Sequence, residues 1–102
     1  MAGLLTAVTA YAAGLSGGYT ANGRNPDGSA YKGTVQIVET DGTVAMTWVV
    51  AGSTYTGLGK VAGRVLEVDW NSNAPVVYVI NSDGTLYGTW AKGTALELLT
   101  PK

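Results

Sequence analysis

The chain has 102 residues with 15 Gly, no His and no Cys, and its seven Asp/Glu against six Lys/Arg leave a net charge of −1. A chain of that length makes one domain with a modest core, and its residue types exclude a disulfide framework, thiolate or imidazole metal ligands and a Ser-His-Asp triad. The charges are balanced and unclustered, which argues against an electrostatic grip on nucleic acid or on an anionic membrane.

Residues 1–17, MAGLLTAVTAYAAGLSG, are small, apolar and uncharged. Leu4, Val8, Tyr11 (or Ala12) and Leu15 recur at three-to-four spacing, which predicts a short helix near residues 4–13 packed against the domain. The same stretch also reads as the back half of an export signal, with AYA as a small-x-small cleavage site but no basic region before it. Both readings stay open. The segment is too short to span a bilayer, and it stands apart from a single domain over residues 18–102.

From Gly18 onward the hydrophobic period changes to two. GYTANGR is the first predicted strand. Tyr31, Gly33, Val35 and Ile37 form one face of the second, and Val44, Met46, Trp48 and Val50 one face of the third. Tyr55, Gly57, Gly59 and Val61 follow, then Leu66, Val68 and Trp70. Such alternation marks strands with one buried and one wet face. APVVYVI is apolar on both faces and is expected to be covered outside as well. Leu86, Gly88 and Trp90, then Leu96 and Leu98, complete eight strands of six or seven residues, by roughly the same alternation.

The connections NPDG, TDG, AGS, AGR, NSNAP, NSDG and KG are short and rich in residues that accept positive φ. Connections this short join antiparallel neighbours only. The expected architecture is therefore an all-β, eight-stranded antiparallel meander closed into a small barrel, because closure removes exposed strand edges; a two-sheet sandwich is the alternative. The related stretches NPDGSAYKGT, AGSTYTGLGK and NSDGTLYGTW each place a Tyr three residues after a turn Gly. They read as hairpin turns entering strands, without implying a repeated binding site.

Little in the chain suggests catalysis. Glu67 and Asp69 lie two apart on one strand, about 7 Å from each other, a spacing usable for glycoside hydrolysis or a hard cation. Alternation instead puts both on the solvent face. NPDGS and NSDGT lack the acids and closing Glu of a calcium loop, and GLGK has no helix after it to form a phosphate loop. No enzyme activity, cofactor or metal is expected.

The aromatic residues are three Trp and six Tyr with no Phe. Each carries a polar tip that needs a partner, a choice suited to cavities and interfaces. Tyr31, Trp48, Tyr55, Trp70 and Trp90 fall on the inward face, where they either fill a small barrel or line a pocket for one small ligand. Tyr87 turns outward, and with Val49, Leu58, Leu99 and Val38 it makes a candidate surface for a protein partner or self-association.

The segments GGYTANGRNPDGSAYKGTVQI, PVVYVINSDGTLYGTW and ELLTP resemble a group of small exported bacterial proteins often labelled fibronectin-binding. The similarity runs from about Gly17 to Pro101 and consists mostly of turn and glycine patterns. It implies a shared β fold, an exported (periplasmic or extracellular) location and, from the group's label, adhesion to a host matrix protein. It transfers no catalytic motif. The chain departs from the group in lacking the Cys pair of some members and in its incomplete N-terminal signal.

Overall fold

The hairpins follow from the turn residues. Asp41 and Gly42 (φ 52° and 79°) join β2 (Ala30–Thr40) to β3 (Thr43–Val50), and Ala51 and Gly52 (φ 52° and 81°) join β3 to β4 (Ser53–Ala62). Positive φ at both central residues matches the right-handed twist of the flanking strands. Gly63 (φ 60°) opens the link from β4 to β5 (Val65–Asp69). A left-handed turn over Ala91–Gly93 leads from β7 (Leu86–Trp90) into β8 (Ala95–Pro101).

The two Asn-x-Asp-Gly turns share one design. In the link from β1 (Gly17–Arg24) to β2, Asp27 Oδ1 accepts from the Ser29 amide and hydroxyl at 2.9 and 2.6 Å. Between β6 (Val76–Ile80) and β7, Asp83 Oδ1 accepts from the Thr85 amide and hydroxyl at 3.0 and 2.6 Å. These carboxylate oxygens are engaged by the turn's own donors, as Asx-turn chemistry requires.

This computed structural model describes residues 14–102, so the helix expected near residues 4–13 lies outside the described residues. Every strand pairs antiparallel with the next, and β8 returns to β1 with Ala21 opposite Leu99. The eight described strands thus form a closed barrel, and the two-sheet alternative is set aside. Its interior is packed by Ile37, Val44, Met46, Leu66, Val68, Tyr78, Ile80, Leu86 and Leu99, all essentially without solvent contact. Burying each aliphatic side chain stabilises by about 1.5–3 kcal/mol before ordering entropy is subtracted.

Glycines on the inner face allow the walls to approach. A Cβ at Gly88 would overlap the Val77 carbonyl of the neighbouring strand, and one at Gly23 would overlap the Tyr31 ring lying over it.

Four expectations need correction. Leu99 does not face outward: it is fully buried, and β8 points Ala95, Glu97 and Leu99 inward. Leu96, expected inside, is 37% exposed, and Leu98 is half-buried on the outer side. The phase is inverted because Glu97 is buried with partners waiting for it. The outer face of β6 is not covered as expected either, since Val79 is 47% exposed. Strand lengths are also uneven, eleven residues in β2 and ten in β4 against five in each of β5, β6 and β7.

The two ends of the barrel differ. At the end carrying the β2–β3 turn, Leu15 is buried in the core, its carbonyl accepts from the Tyr19 hydroxyl at 2.7 Å, and Ser16 Oγ accepts from the Glu39 amide at 2.9 Å. Leu15 plugs this end. The described residues leave the opposite end open.

Candidate functional site

At the open end the last inward side chains of successive strands converge. Tyr31 comes from β2, Trp48 and Val50 from β3, Tyr55 from β4, Trp70 from just past β5, and Trp90 from the end of β7. With Val76, Glu97 and Asn25 they line a cup of about 170 Å³. That is comparable to the cavity of about 150 Å³ that accepts benzene in a protein core.

The wall is a series of edge-to-face rings. Tyr31 meets Trp90 at 6.1 Å between centroids, Trp90 meets Trp70 at 5.9 Å, and Trp70 meets Tyr55 at 6.2 Å, with interplanar angles of 67°, 84° and 68°. This arrangement sets the positive edge of one ring against the negative face of the next. The series braces the rings against one another, so they stand as a wall. Trp70 is held further by its indole N–H, which donates to the Ala74 carbonyl at 3.0 Å. Tyr55 forms the rim at 44% exposure, whereas Trp48 lies at the floor with only 5%.

The floor is built around Glu97, which is 4% exposed. Its Oε1 accepts from the Tyr31 hydroxyl at 2.7 Å. Its Oε2 accepts from the Trp48 indole N–H at 3.0 Å and from the Tyr78 hydroxyl in a short contact. The proton positions follow from the surrounding donors. Trp90 Nε1 donates to the Tyr31 hydroxyl at 3.0 Å, so Tyr31 directs its own proton to Glu97. Trp48 likewise donates to the Tyr78 hydroxyl at 3.1 Å, which leaves the Tyr78 proton for the carboxylate. Glu97 therefore only accepts, the role of an ionised carboxylate.

Burial raises the hydroxyl pKa of both Tyr31 and Tyr78, and the negative charge of Glu97 raises each further by opposing a second anion. Among the described residues no buried side-chain polar atom is left without a partner. The network is complete without help from solvent.

All five rings read as inward from the sequence stand in this cup. Glu97 and Tyr78 were missed. Alternation assigned Glu97 to the solvent side, and Tyr78 sat in a segment apolar on both faces. The signal that points to Glu97 is the number of inward Tyr and Trp tips, which need an acceptor inside the barrel.

The proposed outer set is not one surface. Tyr87 neighbours Val79 and Leu98, whereas Leu58 neighbours Ala45 and Asp69, and Val49 neighbours Thr34 and Thr54. With Leu99 inside, Tyr87 belongs to a different face from Leu58 and Val49. Glu67 and Asp69 are exposed, and Asp69 Oδ1 accepts from the Asn71 amide at 3.0 Å. No group of three or more acidic side chains that could hold a metal ion occurs among the described residues.

Comparison with family models, with curated proteins and with solved structures gave no match.

Proposed function

We propose that the protein is a non-catalytic binding module that holds one small organic molecule in the aromatic cup. The observation that carries this reading is the mouth of the barrel, which the described residues leave unfilled. Four rings stand edge-to-face around about 170 Å³ instead of collapsing into it. Concave, mostly aromatic sites with a few fixed polar groups are the usual form of small-molecule pockets. Catalysis fits poorly, because both oxygens of Glu97 are occupied and the other carboxylate pair is exposed. Low charge content and the resemblance to exported bacterial proteins favour work outside the cytoplasm.

Trp48, Trp70 and Trp90 serve as built-in reporters. Titration with a panel of small apolar and amphipathic compounds, read by intrinsic fluorescence and thermal unfolding, is expected to find ligands. At a hundredfold excess over Kd a ligand adds about 2.7 kcal/mol of stability. A panel that moves neither signal overturns the reading.

A second reading, contact with a protein partner or with another copy, is favoured by a separate observation. Val65, Val79, Tyr87 and Leu98 face outward in one cross-strand row, with the first three 40–49% exposed. An apolar row on a sheet face suits an interaction surface. Sedimentation of wild type against Val79→Ser with Tyr87→Ser tests self-association, and pull-down with the same pair tests a matrix-protein partner. Behaviour unchanged by the double substitution removes the row from consideration.

A further inference from the structure

We propose that the ligand of the cup is a small organic cation of the methylated-ammonium class, its charged head seated among the faces of Tyr31, Tyr55, Trp70 and Trp90 above the Glu97 carboxylate. This deepens the small-molecule reading and rests on it.

The first argument is charge. Glu97 is buried, yet its hydrogen-bond partners Tyr31, Trp48 and Tyr78 are all neutral. Buried charges are normally paired, and among the described residues the hydrogen-bond partners of Glu97 supply dipoles without supplying a counter-charge. Among the described residues lining the cup, Glu97 is the only charged one. A cation entering the cup would meet a negative floor and no competing Lys or Arg in the lining. An anion would meet the same floor and be repelled.

The second argument is hydrogen bonding. The polar tips of Tyr31, Trp48, Trp70 and Trp90, which could point a sugar or an amide into the cup, are already engaged by the protein. Trp90 donates to Tyr31, Trp70 to the Ala74 carbonyl, and Trp48 to Glu97 and Tyr78. A neutral polar ligand would lose its water and find few donors in exchange. A quaternary methylated ammonium makes no such demand, because its charge is spread over an apolar shell that offers no N–H. It is attracted by the negative faces of aromatic rings, most strongly by Trp.

The third argument is size. A cup of about 170 Å³ admits a trimethylammonium head and a short tail, with Tyr55 at the rim where the tail would leave.

The test compares choline with 3,3-dimethyl-1-butanol, which has the same shape with carbon in place of the charged nitrogen. Each is titrated into the full chain by calorimetry and Trp fluorescence. Choline is expected to bind about tenfold or more tightly than the neutral isostere, the preference that ring faces give a desolvated cation. Glu97→Gln should shrink that preference. Tyr55→Leu, at a rim position outside the Glu97 network, should weaken choline by several-fold and leave the isostere unchanged; it keeps the test decisive if Glu97→Gln does not fold. Equal or tighter binding of the isostere overturns the cation while leaving the small-molecule reading intact. Failure of both compounds to bind overturns the cation class, and the small-molecule reading then falls only if the wider panel fails too.

Discussion

Glu97 ties four aromatic side chains to one point, directly through Tyr31, Trp48 and Tyr78 and through Tyr31 to Trp90. Glu97→Gln replaces an acceptor with an NH₂ group where the surrounding groups already donate. The new N–H groups then face hydroxyl or indole groups that were donating to the carboxylate, so donor meets donor and at least one buried proton loses its acceptor. The expected loss is about 1–3 kcal/mol, the cost of leaving a buried polar group unsatisfied, and the shift of the urea midpoint measures it. An unchanged midpoint would mean that the network carries no net stability. The same network sets the response to alkali. Tyr31 and Tyr78 keep their protons above the ordinary tyrosine value of 10.0, because of burial first and Glu97 second. Above that pH the unfolded chain binds fewer protons than the folded one. The tyrosine contribution to stability is thus full below pH 10 and is lost as pH rises beyond it. Tyrosinate absorbance followed with circular dichroism should show these two hydroxyls ionising together with loss of the fold. Their ionisation in an intact barrel near pH 10 would contradict the assignment.

At the level of elements, β8 separates what could be read from the chain from what could not. In β2 to β5 and in β7 the inward apolar and aromatic residues alternate largely with polar ones, so the inward face was legible, and with it all five cup rings. ALELL offers Leu at 96, 98 and 99 around a single Glu. The rule that charge faces water selects Leu96 and Leu98 for the interior. The structure selects the other phase because Glu97 finds donors on β2, β3 and β6. Those partners lie 19 to 66 residues away in sequence, and no local pattern announces them. The two phases make opposite forecasts. Leu99→Ala should cost about 2–5 kcal/mol as a core truncation, while Leu96→Ala should stay near the small effects usual at surfaces, within about 0.5 kcal/mol. Denaturant unfolding of the two variants decides between them, and a reversed order would show that β8 is turned the other way. At the plugged end, Leu15→Ala belongs with Leu99→Ala, because Leu15 sits in the same buried cluster.

For the whole molecule the decisive feature is the seam between β1 and β8. An open meander would leave these two as edge strands, with their ladder groups exposed to water and to other chains. Closure pairs Tyr19 with Pro101 and continues through Arg24 opposite Leu96. These contacts join nearly the two ends of the described chain, so the loop entropy of bringing them together must be overcome before they stabilise anything. Such non-local pairing slows folding to about milliseconds to seconds, as in other all-β domains. It also removes the place where opening would start. If the seam is as firm as the hairpins, the hydrogen-bonded amides of β1 and β8 should exchange with solvent only through global unfolding, at the same free energy as those of β3 in the middle of the meander. Native-state hydrogen exchange read by NMR measures this strand by strand. Amides of β1 and β8 exchanging well ahead of β3 would show instead that the barrel opens along its seam. The floor of the cup would then open with it, since Glu97 on β8 is what Tyr31, Trp48 and Tyr78 of the other strands donate to.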